Sequence, residues 1–315
     1  MTISVLGAGA FGTALAISLS RDGRAVSLWG RDTSDMASEN QNTRRLAGFA
    51  FPDSLTVQSD LELAAKAQIL LIATPMQSLA NFLSEHTHML DGKTLVACCK
   101  GIDLSTGLGP AEIIRRTCPN AIPAILSGPS FAVDIAAGLP TALTLAAENA
   151  EGLQEALSTA NIRIYRSTDL TGVEIGGALK NVVAIACGIA TGAGLGESAH
   201  AALMTRGYAE MQRFALSRGA LPETLAGLSG FGDLALTCSS EKSRNFAYGL
   251  ALGRGATLPE GTTVEGKATA KAVSNLAKND NIDLPIAAMV VAVLENHLTI
   301  EEAVERLLAR PLKEE

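Results

Sequence analysis

The chain has 315 residues, 47% of them hydrophobic and 18% charged, with a formal net charge of −7. That length suits one or two ordinary cores, with two domains favoured. The acidic balance, without any Lys/Arg run, argues against a nucleic-acid partner.

The five cysteines (Cys98, Cys99, Cys118, Cys187 and Cys238) form no C-x-x-C pair, which fits a reducing compartment better than a disulfide framework. The four histidines have no ligand set around them at zinc spacing, so no metal site is expected. A strand starts almost at the N-terminus, so neither a signal peptide nor a membrane span is expected, and the cytoplasm is the expected location.

Residues 2–6 read as a short apolar strand. Gly7-Ala8-Gly9-Ala10-Phe11-Gly12 follows, and residues 13–19 continue in helical spacing. G-x-G-x-x-G alone is a weak signal, but between a strand and a helix it stands in the context a dinucleotide site needs. Gly7 makes the tight turn, Gly9 lets the backbone approach a pyrophosphate, and Gly12 lets helix pack on strand. The free N–H groups of the helix then face the anion.

A second strand over 25–29 ends at Gly30-Arg31-Asp32. An acidic residue at such a tip takes a ribose 2′-hydroxyl, whereas an arginine accommodates a 2′-phosphate. Arg31 comes first, which favours NADP(H), with NAD(H) also open; the alternative for Arg31 is a solvated surface charge. Residues 40–52, with Arg44 and Arg45, read as a loop or short helix over the sheet.

Buried strands over 68–73 and 93–99 come next, the first broken at Thr74-Pro75. Lys100-Gly101 stands at the carboxyl end of the second, where ligands collect in open α/β sheets. Lys100 is a site candidate or a plain strand-terminating lysine. A strand over 122–126 opens into Ser127-Gly128-Pro129-Ser130-Phe131-Ala132, where Ser130 either caps the next helix or faces a substrate. Strands over 141–147 and 162–165 extend a doubly wound, largely parallel sheet.

From 173 to 196 only Glu174 and Lys180 carry charge, and the run after Val182 suits a helix buried all round. Gly188 and Gly192 share one helix face and would let another backbone come close. Lys180 therefore sits where an ammonium is costly to desolvate, which makes it usable in proton transfer. The alternative is a stem on the core with its head in solvent. Helical spacing recurs over 199–217, 268–278, 285–294 and 300–308, with no strand pattern between. Residues 230–245 pack Asp233, several hydroxyls, Arg244 and Asn245 together, a set suited to phosphate. The alternative is a polar loop capped by Ser243.

These pieces together resemble the bacterial NAD(P)-dependent glycerol-3-phosphate dehydrogenase family along essentially the whole chain. The matching runs are the 7–12 turn, Lys100-Gly101, Gly128 to Ala132, and Gly176-Gly177-Ala178-Leu179-Lys180-Asn181. Thr205-Arg206-Gly207, Gly232-Asp233-Leu234 with Thr237-Cys238, Ser243-Arg244-Asn245, and Glu265-Gly266 continue the match. The resemblance implies reversible reduction of dihydroxyacetone phosphate to sn-glycerol 3-phosphate, feeding phospholipid synthesis.

It makes Lys180 the acid/base residue. It places Lys100, Gly128, Ser130, Lys180, Asp233, Ser243, Arg244 and Asn245 at the substrate. It places Ala10, Phe11, Arg31, Lys100, Ala132, Arg244, Thr263 and Glu265 at the cofactor, beside Gly7, Gly9 and Gly12. The chain departs from the family pattern at Asp134, Ser198 and Thr263, where glutamate, asparagine and valine are usual. Asp233 is expected either to hydrogen-bond a substrate hydroxyl or to orient Lys180.

The expected architecture is a Rossmann-like doubly wound α/β domain over 1–172 that binds NADP or NAD. An all-helical substrate and catalytic domain over 173–315 follows, with a homodimer expected. The rival readings are a related β-hydroxyacid dehydrogenase, which needs a carboxylate site, and a non-catalytic NAD(P)-binding sensor, which needs no buried lysine.

Overall fold

The computed structural model describes residues 2–256 and 263–311. Strand β1 (Ile3–Leu6) turns directly into α1 (Ala10–Ser20), and β2 (Val26–Trp29) returns beside it. Helix α2 (Ser34–Glu39) leads into β3 (Gln41–Asn42), β4 (Leu46–Ala50), β5 (Leu55–Gln58) and α3 (Leu61–Ala64). Strands and helices then alternate through β6 (Ile69–Ile72), α4 (Met76–Leu90), β7 (Thr94–Ala97), α5 (Pro110–Thr117) and β8 (Ile122–Ser127). They end with α6 (Ala132–Ala136), β9 (Thr141–Ala146), α7 (Glu151–Leu157) and β10 (Ile162–Ser167).

Eight strands form one sheet in the order β10-β9-β8-β7-β6-β1-β2-β5. The pairings are parallel except between β8 and β9, which run antiparallel. The strand order reverses between β1 and β6, so the glycine turn after β1 lies at the switch point, where open α/β sheets bind ligands. The pleat sends Val5 and Leu71 into one apolar core and Leu6, Leu70 and Ile72 into the other. Burial on both faces explains why these strands read as unbroken apolar runs.

Residues 40–52 are neither loop nor helix: β3 and β4 pair as a separate antiparallel hairpin. Asn40 turns the chain with φ 51°, and the Phe51 amide donates to the Asn40 carbonyl at 2.9 Å to close the pair. Leu46 and Phe51 then drop into the core, which a free loop would leave exposed.

After β10 the described residues form helices only. They are α8 (Leu170–Gly192), α9 (Glu197–Ser217), α10 (Pro222–Ala226), a single π-turn (Leu228–Gly232), α11 (Asp233–Cys238) and α12 (Arg244–Gly253). Then come α13 (Glu265–Asn279), α14 (Pro285–Leu294) and α15 (Ile300–Leu308). Among the described residues α8 alone is long and apolar enough to cross a membrane, and it is buried inside the fold as the axis of the helical half.

Two acids inside this half serve as caps. Glu174 accepts from the Ala111 amide at the start of α5, and Glu210 accepts from Ile286 and Ala287 at the start of α14. Burial pushes each carboxyl up to about 7 against those backbone donors.

Helices α8 and α12 approach through paired glycines. A Cβ on Gly188 would lie 2.2 Å from the Phe246 carbonyl oxygen, and one on Gly249 would lie 2.2 Å from that of Ile185. Gly192 and Gly253 repeat the contact one turn on. The sequence spacing showed one half of this seam; Gly249 and Gly253 supply the other.

Gly188→Ala tests the seam. The substitution gains about 1 kcal/mol of helix propensity, but the clash is with backbone and forces the helices apart, at about 1–3 kcal/mol or more. A lower urea midpoint at unchanged slope is expected; a midpoint at or above wild type would show that the two helices do not need this contact.

Candidate active site

The glycine turn is shaped by close approach. Gly7 has φ +124°, and a Cβ there would meet the Ala73 carbonyl carbon at 2.7 Å, at the end of β6. A Cβ on Gly12 would lie 2.1 Å from the Gly7 oxygen. In contrast, a Cβ on Gly9 would meet nothing within 4 Å, so the backbone here faces open space.

No side chain caps α1, whose first residues are Ala10, Phe11 and Gly12. A bare helix N-terminus beside open space fits a dinucleotide pyrophosphate. Asn42, from the β3–β4 hairpin, donates to the Ala8 carbonyl at 3.0 Å and to Thr13 Oγ1 at 2.8 Å, which ties the turn to the hairpin. That residue was not singled out from sequence, because only the hairpin brings it there.

At the tip of β2, Arg31 is exposed and forms no ion pair or hydrogen bond among the described residues. Asp32, its neighbour, is already held: Ser34 Oγ donates to it at 2.9 Å and Arg44 Nη1 at 2.9 Å. These partners keep its carboxyl below the usual range. The tip thus presents a free guanidinium next to a carboxylate engaged elsewhere.

The centre of the site is one carboxylate between two ammonium groups. Lys180 Nζ donates to Asp233 Oδ1 and to Thr237 Oγ1, each at 2.7 Å. Lys100 Nζ donates to Asp233 Oδ2 and, at 3.2 Å, to the Gly128 carbonyl. Thr237 follows Asp233 by one helical turn of α11, so both face Lys180. That spacing was a signal present in the sequence.

An ammonium has three donors, so each lysine keeps one N–H beyond these bonds. Lys180 is 7% exposed, so its head does not reach solvent as the surface alternative required. Burial pulls its pKa down to about 8, with Asp233 opposing that shift and Lys100 adding to it.

Small residues let the backbones of this centre converge. A Cβ on Gly176 would lie 2.7 Å from the Ser229 oxygen of the π-turn, and one on Gly177 would lie 2.6 Å from Ser127 Oγ. The buried Ser127 and Ser229 hydroxyls find no partner among the described residues.

The remaining predicted residues surround this centre. Gly128 sits at φ +145°, its carbonyl bound to Lys100. Ser130 does not cap the next helix. Helix α6 starts at Ala132 with Phe131 in the cap position and no side-chain cap bond, and Ser130 Oγ donates to the Gly128 carbonyl at 3.3 Å. Ser243 does cap α12, accepting from the Phe246 amide at 3.3 Å.

Asn245 Nδ2 donates to Asn181 Oδ1, and Asn245 Oδ1 accepts from the Gly266 amide, both at 2.9 Å. This buried chain ties α12, α8 and α13 together. Arg244 is exposed at the start of α12 and makes no ion pair among the described residues. Half-buried Glu265 is held above the usual carboxyl range by burial, opposed by Arg244, Lys100 and Lys180. The three cations therefore lie around one region. Thr263 is exposed just before α13.

Asp233→Ala would leave two ammonium groups side by side in a largely buried site. Removing one partner of such a pair destabilises by about 3–5 kcal/mol. The drop should appear in the urea unfolding free energy, with Lys180→Met in the same background restoring part of it. A loss of less than about 1 kcal/mol would mean that Asp233 does not hold the lysines together.

Known proteins resemble the chain along its whole length. Residues 2–153 match the family model for the NAD-dependent glycerol-3-phosphate dehydrogenase N-terminus, and residues 169–305 match that for its C-terminus. The glycerol-3-phosphate dehydrogenase [NAD(P)+] of Ruegeria sp. (strain TM1040) is 58% identical, with all of both chains covered. That of Paracoccus denitrificans (strain Pd 1222) is 54% identical, again over the full length of both.

Among solved structures, glycerol-3-phosphate dehydrogenase (gpsA) from Coxiella burnetii superposes with a TM-score of 0.93 at 36% identity, covering 98% of this chain and 99% of that one. With both halves of the chain matched and relatives above 50% identical over the full length, the chain belongs to the NAD-dependent glycerol-3-phosphate dehydrogenase family.

Proposed function

We propose that the chain catalyses the reversible reduction of dihydroxyacetone phosphate to sn-glycerol 3-phosphate, with NADPH or NADH as donor, as a cytoplasmic homodimer supplying phospholipid synthesis. The observation that carries the reading is the buried Lys180 ammonium, two of whose donors are taken by Asp233 and Thr237, leaving one for a substrate oxygen.

Residues 1–172 form the dinucleotide-binding domain and 173–315 the catalytic one. The turn at Gly7, Gly9, Ala10, Phe11 and Gly12 takes the pyrophosphate, Arg31 the 2′-phosphate, and Ala132, Thr263 and Glu265 border the cofactor. A bound nicotinamide supplies the hydride. Lys180 then gives its proton to the developing alkoxide and stabilises the charge while doing so.

Asp233 acts on Lys180 more than on the substrate, since both its oxygens are occupied by lysines. Arg244 grips the phosphate, with Lys100, Gly128, Ser130, Ser243 and Asn245 completing or supporting the pocket. Arg244 lacks an ion-pair partner among the described residues, which leaves its planar guanidinium available for two parallel bonds to a phosphate.

A steady-state comparison of wild type, Arg244→Ala and Arg31→Ala tests these assignments. NADPH and NADH oxidation would be followed with dihydroxyacetone phosphate and with plain dihydroxyacetone. Arg244→Ala should lose far more kcat/KM on the phosphorylated substrate than on the plain one, because remote binding energy supports the chemical step. Arg31→Ala should raise the NADPH KM and leave the NADH KM nearly unchanged. Wild type inactive on dihydroxyacetone phosphate with both cofactors would overturn the function. Equal losses across substrates, or across cofactors, would overturn the corresponding arginine's role.

A further inference from the structure

The described residues line a half-open, mostly apolar cavity of about 250 Å³ at the far end of α13, with charged groups at its exposed rim. Helix α13 begins at Glu265, beside the lysine pair, while Ser274 and Lys278 line the cavity nine and thirteen residues later. At about 1.5 Å of rise per residue, that is roughly 14 and 20 Å along the helix. The cavity is separate from the candidate active site.

Its lining is unusual in charge. Lys278, Arg306 and Arg310 face it, against Asp283 as the one acidic residue. Asp283 is paired with Arg310, and its backbone carbonyl accepts from Arg213 at 2.8 Å. The side chains of Lys278 and Arg306 form no hydrogen bond or ion pair among the described residues. Glu295 also attracts Lys278, but Lys271 already binds it at 2.9 Å.

The second observation is independent of charge. Ser274 is 6% exposed, lines the cavity, and its hydroxyl finds no hydrogen-bond partner among the described residues. A buried hydroxyl without a partner is unfavourable and uncommon, so it asks for one. Leu284, Met289 and Leu307 contribute to its apolar lining.

We propose that this cavity is a binding site for a small amphipathic anion. Lys278 and Arg306 hold the anionic head, Ser274 donates to it, and a short alkyl portion lies on Leu284, Met289 and Leu307. The volume is just under the usual range of about 300–1,000 Å³ for ligand pockets, which limits the occupant to a short chain. A carboxylate and a phosphate monoester share the required chemistry.

Calorimetric titration of the full chain with hexanoate, butyl phosphate, hexanol and hexylammonium tests the site. Wild type should bind at least one of the two anions saturably, and whichever binds more tightly identifies the head group. Hexanol and hexylammonium should bind at least tenfold more weakly. The double variant Lys278→Ala/Arg306→Ala should weaken anion binding by at least about tenfold, as expected when charged hydrogen bonds are lost.

Ser274→Ala should also weaken binding while leaving the thermal midpoint of the free protein unchanged or higher, since it removes an unpartnered hydroxyl. That pairing separates binding from folding. No saturable binding of either anion, equal binding of hexanol, or anion binding unchanged in the double variant would each overturn the proposal.

Discussion

The Asp233 carboxylate, buried between Lys180 and Lys100, is the interaction on which the rest of the helical half depends. A lone ammonium on α8 would be desolvated without compensation and would shed its proton or unfold its surroundings. One carboxylate shared by two lysines leaves a net positive charge in a water-poor place, which suits an anionic substrate. The arrangement holds Lys180 charged at neutral pH while keeping its pKa near enough for proton transfer.

Much of the surrounding packing serves to bring that carboxylate into place. The glycines of α8 act in two directions. Gly176 and Gly177 admit the π-turn and the loop after β8, which carry Ser229 and Ser127. Gly188 and Gly192 admit α12, whose first residues are Arg244 and Asn245. The π-turn runs straight into Asp233, so its wider backbone circuit sets where α11 starts. The Asn181–Asn245–Gly266 chain then fixes α12 and α13 against α8 from the buried side.

The sequence disclosed what depends on local spacing. The strand–glycine–helix entry, the helices over 285–294 and 300–308, and the small-residue face of α8 could all be read from neighbours in the chain. Long-range partnership is less legible: Asp233 meets Lys180 across 53 residues, and although orienting Lys180 is one of the two roles expected of it, no pattern along either helix chooses between them. Strand β5 was missed because four residues with polar members carry little periodicity, and the β3–β4 hairpin because its pairing is only a few residues long. Of the two readings open for Ser130, helix cap or substrate-facing, the cap fails: the chain stays extended through Phe131, and the hydroxyl turns back to Gly128.

Lys180 as proton donor is tested most directly by the pH dependence of kcat/KM in both directions, which reports the acid/base group of the free enzyme. Its pKa is lowered from 10.5 to about 8, so above about 8 the folded protein holds a neutral amine where a free lysine would still be charged. Reduction needs the ammonium and should fall as pH rises through about 8. Oxidation needs the amine and should rise through the same region. Two profiles that move in the same direction, or a reduction rate flat from about pH 6 to 10, would contradict the assignment of Lys180 as the acid/base group.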